Sequence, residues 1–177
     1  MKLVILDRDG VINEDSDDYI KSADEWVPVP GSVEAIARLS QAGCKVFVAS
    51  NQAGIGRGLF DYDAFAGIQS RMLQKVTELG GQVCATVFAP EHPDHATEMR
   101  KPNPGMLRDI ARRMQMSLDD VPFVGDSWSD IQAARAAGAS PVLVRSGKGR
   151  RTESAGHDLT GVPAYDDLAA FVSDWLR

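Results

Sequence analysis

Two aspartates, Asp7 and Asp9, stand one residue apart just after the apolar run Leu3–Leu6, in Asp7-Arg8-Asp9-Gly10-Val11-Ile12. Leaving a buried strand, such a pair brings two negative charges close together, which is costly unless a cation joins them. A divalent metal is the natural partner, and Gly10 allows the chain to turn sharply away. Taken alone, the spacing also suits a turn, because Asp favours turns and caps. Three more polar clusters each follow an apolar run. Ser50-Asn51-Gln52 offers a hydroxyl and adjacent amides suited to a phosphate oxygen, although by itself it reads as a polar turn. Arg100-Lys101-Pro102 sets two cations just ahead of a helix, and by itself reads as a solvated charge pair. Gly125-Asp126-Ser127-Trp128-Ser129-Asp130 ends a strand in carboxylates, with Asp130 early in the next helix, where an acid also serves the helix dipole.

The combination is far more specific than any member. It supplies an acidic pair, a hydroxyl, a lysine and a further carboxylate, the kit for phosphoryl transfer through an aspartyl-phosphate. A carboxylate attacks phosphorus only if its charge and that of the phosphate are offset, which magnesium and a lysine can do. A second carboxyl must protonate the departing alkoxide and then activate water. Asp7 as nucleophile and Asp9 as acid/base fit that division.

Positioning these groups requires strands that end at the site. Leu3–Leu6, Lys45–Ala49, Val83–Phe88, Val121–Val124 and Pro141–Val144 read as buried strands. Between them lie segments with helical spacing. One opens at Gly31-Ser32 and ends at Gly43, and a second runs from an Asp61 N-cap to about Leu79. The others are Pro104–Met116, Asp130–Ala137 closed by Gly138, and Asp166–Leu176. The alternation predicts an α/β parallel sheet with helices on both faces. Asn13–Pro30 and Pro90–Asn103 interrupt the rhythm at the carboxyl ends of strands, where such folds bind ligands. Ser146–Gly161 reads as a surface loop, with no role assigned to His157.

The 177 residues, with 44% hydrophobic and 25% charged side chains, suit one domain spanning 1–177. A net charge of -6 argues against nucleic-acid binding. The first apolar run is too short for a signal peptide, and no run reaches the roughly 20 apolar residues of a membrane-spanning helix. The expectation is a cytoplasmic monomer without nucleic-acid or membrane partners. Cys44 and Cys84 both sit in apolar runs and read as buried, inert thiols.

At all four motifs, in order and over nearly its full length, the chain resembles the haloacid dehalogenase superfamily of phosphatases. The resemblance implies a Rossmann-like doubly wound sheet, here without a large cap domain. It also implies that Ser50 and Lys101 hold the transferring phosphoryl group. Magnesium would be ligated by Asp7, the backbone carbonyl of Asp9, and Asp126. Leu6-Asp7-Arg8-Asp9-Gly10-Val11-Ile12-Asn13, Ser50–Gly58 and Arg100–Met106 further resemble the heptose bisphosphate phosphatases and their neighbours, the histidinol-phosphate phosphatases. The heptose enzymes remove the 7-phosphate, leaving a heptose 1-phosphate used in lipopolysaccharide synthesis. Within that group Arg100 would recognise a small phosphorylated sugar, faced also by Asp15, Ser16, Asp17, Asp18, Asn51, Gln52 and Ala53. Arg57, from its charge and loop position, would meet the second phosphate. Ser127 replaces a lysine common in the group and adjoins these contacts. A bisphosphate would prefer the Arg57, Arg100 and Lys101 side, and histidinol phosphate the acidic Asp15, Asp17 and Asp18 side. Rivals of other classes are a phospho-accepting receiver domain and a non-catalytic sugar-phosphate-binding protein. A receiver needs an acceptor carboxylate after the third strand, where Ala89-Pro90 stand, and binding alone needs no nucleophile beside an acid.

The group usually carries a zinc loop before the Arg-Lys-Pro motif. The positions expected to ligate zinc here read Ala89, Glu91, Thr97 and Met99, so no thiolate remains and a zinc-free loop is expected. Metal analysis of protein purified without added metal is expected to find no stoichiometric zinc; one equivalent would overturn that expectation.

Overall fold

A computed structural model describes residues 2–177; Met1 lies outside the described residues. Six strands form one sheet, all parallel: β1 (Leu3–Leu6), β2 (Lys45–Asn51), β3 (Ala85–Ala89), β4 (Pro122–Gly125), β5 (Ser140–Val144) and β6 (Ala164–Tyr165). Their spatial order is β3-β2-β1-β4-β5-β6, so the chain builds outward from β1 in one direction and then returns to build in the other. The reversal opens a crevice beside the carboxyl end of β1, the place where doubly wound sheets bind ligands.

Period-two alternation explains why β1 is apolar throughout. Val4 and Leu6 enter one core with Val46, Val48 and Val124, whereas Leu3 and Ile5 enter the other with Phe47 and Phe123. The first core is covered by α1 (Ser32–Gln41), α3 (Tyr62–Glu78) and α7 (Leu168–Trp175), which bury Ile36, Leu39, Ile68, Met72 and Phe171. The second is covered by α4 (Gly105–Met114) and α5 (Trp128–Ala137), through Met106, Leu107, Ile110, Ala133 and Ala134. The expected caps are present: Asp61 accepts from the Ala64 amide at 2.8 Å, and Gly138 ends α5 at φ 80°.

Three features depart from the sequence reading. Residues 146–161 are not a plain loop but contain the short helix α6 (Gly149–Ser154), and β6 follows. Neither is long enough to show a period. A short α2 (Ala53–Gly56) opens directly after β2. Cys84 is exposed, because it precedes β3, an edge strand, and only Cys44 is buried. Among the described residues no helix is long and apolar enough to cross a membrane.

Leu107 is fully buried between α4 and the sheet. Leu107→Ala is expected to cost about 2–5 kcal/mol, read as a lower urea midpoint with an unchanged m-value.

Candidate active site

The site is assembled around one buried ammonium. Lys101 Nζ lies 2.9 Å from Asp7 Oδ1 and 2.7 Å from Asp130 Oδ1, and donates to the Ala49 carbonyl at 2.9 Å. The Ala49 contact is a hydrogen bond, and the two carboxylate contacts are ion pairs. A reciprocal pair fixes the lysine's backbone: Asn51 Nδ2 donates to the Lys101 carbonyl and the Lys101 amide donates to Asn51 Oδ1, both at 3.0 Å. The end of β2 therefore holds the loop that follows β3. Burial alone would lower the lysine's pKa, but Asp130 and Asp7 raise it above its ordinary value, so the ammonium stays charged.

Asp7 is 8% exposed. Its Oδ1 also accepts from the Arg8 amide at 2.7 Å, whereas Oδ2 receives no donor among the described residues. Burial, with the neighbouring Asp130 charge, pushes its carboxyl up to about 7 despite Lys101. Asp126, buried at the end of β4, is likewise raised by burial and by Asp130 and Asp7. Ligand oxygens of Asp7, Asp126 and Asp130 all lie within 4.8 Å of one another. Such crowding of carboxylates is relieved by a hard divalent cation, and an all-oxygen donor set suits magnesium.

Asp130 is the most committed of the three. Its Oδ1 pairs with Lys101, and its Oδ2 accepts from the amides of Asp126 and Ser127 at 3.2 and 3.0 Å and from Ser127 Oγ at 2.7 Å. It caps α5 and aims the lysine, leaving Asp7 and Asp126 the better placed side chains to hold a cation.

Asp9 is held differently. Burial would raise its carboxyl, but the Arg8 guanidinium, with hydrogen bonds from Asn13, Arg8 and Gln52, outweighs burial and keeps the pKa below its usual value. Ser50 is buried at the end of β2, and its Oγ accepts from Gln52 Nε2 at 2.8 Å.

These groups meet at a polar cavity of about 270 Å³. Asp7, Asp9, Asn51, Ala53, Arg100, Lys101, Asp126 and Ser127 line it, and Asp15, Ser16 and Asp17 reach it from the segment after β1. Ser50 and Gln52 sit behind that lining, buried. Asp18 and Arg57 are exposed and do not line it. Arg57, at the end of α2, lies close enough for its positive charge to be felt by Arg100. Arg100 Nη1 is buried and meets no hydrogen-bond partner among the described residues, which suits it to an arriving anion.

Several contributors escaped the sequence reading. Lys148 lines the cavity from the segment before α6, with its Nζ 3.3 Å from Asp15 Oδ2 and its amide donating to Asp126 Oδ2 at 2.7 Å. Ser146 Oγ donates to the Gly10 carbonyl at 2.7 Å, and Thr152 Oγ1 to the Asp126 carbonyl at 2.8 Å. The available signal was glycine. Gly10 and Gly147 have φ of 83° and 56°, and a Cβ on either would strike Asp126 Oδ2. Trp128, at the start of α5, stacks on His157 at 4.5 Å and so pins the chain beyond α6 rather than reaching the cavity.

The 90–103 loop is closed by local bonds. Glu91 Oε1 accepts from the amide and hydroxyl of Thr97 at 3.2 and 2.6 Å, and the Met99 amide donates to Thr97 Oγ1 at 3.1 Å. Ala89 is fully buried, and Met99 packs against the second core.

A carboxylate near pH 7 beside a cation site has a measurable consequence. Magnesium binding to metal-free protein is expected to release protons at about pH 6, and to tighten as pH rises through about 7, since the cation requires ionised Asp7 and Asp126. Calorimetry in buffers of differing ionisation heat checks this; pH-independent binding would refute the assignment.

Comparison with known proteins places this geometry in a family. A family model described as HAD-hydrolase-like matches residues 98–171. A Pseudomonas putida protein named D-glycero-beta-D-manno-heptose-1,7-bisphosphate 7-phosphatase is 53% identical over 99% of this chain and 100% of its own length. The crystal structure of the Bordetella bronchiseptica D,D-heptose 1,7-bisphosphate phosphatase, complexed with magnesium and phosphate, superposes with a TM-score of 0.98. It is 49% identical, covering 99% of this chain and 98% of that one. The Burkholderia thailandensis D,D-heptose 1,7-bisphosphate phosphatase gives 0.79 at 44% identity, covering 99% of each chain. The chain therefore belongs to the HAD-like phosphatase family, enzymes that hydrolyse phosphoric monoesters.

Proposed function

We propose that the protein is a magnesium-dependent phosphatase that removes the 7-phosphate of D-glycero-D-manno-heptose 1,7-bisphosphate through an aspartyl-phosphate. The observation that carries this reading is the Asp7–Lys101–Asp130 cluster, opening with Asp9, Asp126 and Arg100 onto one polar cavity. The full-length likeness to phosphatases named for that substrate supports it.

In the first half-reaction an Asp7 carboxylate oxygen bonds to phosphorus as the bond from phosphorus to the sugar oxygen breaks. Asp9 gives its proton to that departing oxygen. The phosphate dianion brought beside Asp9 opposes its charged form and so favours the protonated acid the step requires. Lys101 keeps its positive charge beside both the nucleophile and the incoming phosphoryl group, and Ser50 offers a hydroxyl to a phosphoryl oxygen. A magnesium ion held by Asp7, the Asp9 carbonyl and Asp126 would offset the charge accumulating on the phosphoryl oxygens. In the second half-reaction Asp9 takes a proton from water, the water oxygen bonds to phosphorus, and Asp7 is released.

Charge in the cavity favours a bisphosphate over histidinol phosphate. Asp15 is already paired with Lys148, and Asp17 lies 3.9 Å from Arg151, so the acidic side is largely offset. Arg100, whose Nη1 has no partner among the described residues, then leaves positive charge for a second phosphate, whereas the cationic amine of histidinol phosphate would have to displace Lys148 from Asp15.

With magnesium present, phosphate release is expected to show a much higher kcat/KM for the heptose bisphosphate than for histidinol phosphate. Asp7→Asn is expected to lower kcat by about 10⁴-fold or more. Preference for histidinol phosphate would move the substrate and keep the chemistry. An Asp7→Asn protein as active as the wild type would sink both.

A further inference from the structure

Arg8 lies between the two aspartates of the first motif, yet its side chain turns into the protein and is 0% exposed. A buried guanidinium is costly unless it is paired. Its partner is the exposed edge of the site. Nε and Nη2 donate to Asp9 Oδ1 at 3.0 and 2.9 Å, and Nη2 also lies 3.2 Å from Asp9 Oδ2 and 3.2 Å from Gln52 Oε1. Its Cζ sits 5.9 Å from the centroid of the Phe65 ring on α3.

Gln52 extends the chain of contacts. Its Nε2 donates to Asp9 Oδ2 at 2.9 Å and to Ser50 Oγ at 2.8 Å. Asn13 Nδ2 adds a bond to Asp9 Oδ1 at 2.9 Å. A continuous network thus runs from the apolar layer under α3 through Arg8 to the Asp9 carboxylate, and from there through Gln52 to Ser50. Arg8 is not optimised for its own bonding, because Nη1 is buried without a partner. Its fork is placed where it serves Asp9, whose side chain keeps 23% exposure on the cavity side.

A planar, two-pronged donor fixes both the distance and the plane of a carboxylate, which a lysine cannot do. An acid that must reach one departing oxygen depends on that plane, since small misplacements are costly in rate. We propose that Arg8 is a positioning residue: its guanidinium holds the Asp9 carboxylate in register with Ser50, so that Asp9 can protonate the leaving oxygen. The proposal rests on Asp9 as the acid/base, and is independent of which sugar phosphate is the substrate.

The test exploits leaving groups. An alkoxide needs the Asp9 proton to depart, whereas p-nitrophenolate departs largely without it. Release of the first product in a single turnover isolates the step in which Asp7 bonds to phosphorus, the ester bond breaks and the proton goes to the leaving oxygen. The substrates are the heptose bisphosphate, glycerol 3-phosphate as a second alkyl ester, and p-nitrophenyl phosphate, with Asp9→Asn as reference. Arg8→Met is expected to mimic Asp9→Asn. Alkyl esters lose about 100-fold or more, p-nitrophenyl phosphate loses under about 10-fold, and KM changes little. Arg8→Lys, keeping the charge without the fork, is expected to recover only part of the loss. Equal losses for alkyl and aryl esters, or none, would overturn the proposal. If Arg8→Met does not fold, Arg8→Lys and Gln52→Met carry the same comparison. Cleavage of glycerol phosphate but not of the heptose bisphosphate removes the substrate assignment and leaves Arg8 under test. If Asp9→Asn itself treats both ester types alike, the acid/base reading fails and the Arg8 proposal falls with it.

Discussion

Everything in this site answers to one electrostatic constraint: three buried carboxylates converge, Asp7 and Asp126 from the ends of neighbouring strands and Asp130 from the first turn of α5. Desolvated like charges oppose one another, and the raised pKa values of Asp7 and Asp126 record that opposition. Lys101 offsets part of it from within, paired with Asp7 and Asp130 and hydrogen-bonded to the Ala49 carbonyl. What remains is a deficit of positive charge, which a divalent cation would offset.

The surrounding structure works to keep that charge balance in shape. Asp130 completes the capping box of α5 with Ser127 while it pairs with Lys101, so the helix terminus and the buried ammonium share one carboxylate. Asn51 ties the Lys101 backbone to β2, and the Glu91–Thr97 bonds close the loop that delivers Arg100 and Lys101. On the opposite side Gly147 and Lys148 press against Asp126 and the Gly10 turn. Each of these supports comes from a different segment of the chain, which is what a precisely held site on loop ends requires.

Neighbours rather than residue type set the two aspartates of the first motif apart. Asp7 and Asp9 are chemically identical and two positions apart, yet burial beside other carboxylates raises the first, while a guanidinium and two amides lower the second. In the metal-free protein these shifts run opposite to the proposed roles, so an ionised Asp7 depends on the cation and a protonated Asp9 on the arriving phosphate.

Local pattern was enough to determine a good deal. β1 was legible because a run buried on both faces is apolar throughout. The ends of α3 and α5 were legible because Asp61 and Gly138 act through bonds within a few residues. Asp7 and Asp9 stood out because they follow the first strand, whereas Ser50, Lys101 and Asp126 received their expected roles from the family resemblance of their motifs. Tertiary structure alone decided the rest. Arg57 and Arg100 are both arginines in loops after strands, and only the packing of 90–103 against α2 sends Arg100 to the cavity and leaves Arg57 in solvent. Lys148 sits in a stretch with no period to read, far along the chain from the aspartates it serves, and the fold brings it to Asp15 and Asp126. Arg8 looks like a spacer in the sequence, and its burial follows from the turn at Gly10 and the position of Phe65. The physical reason is common to all three. Strand, cap and turn signals are short-range, whereas the environment of a charge depends on contacts between residues that the sequence places far apart.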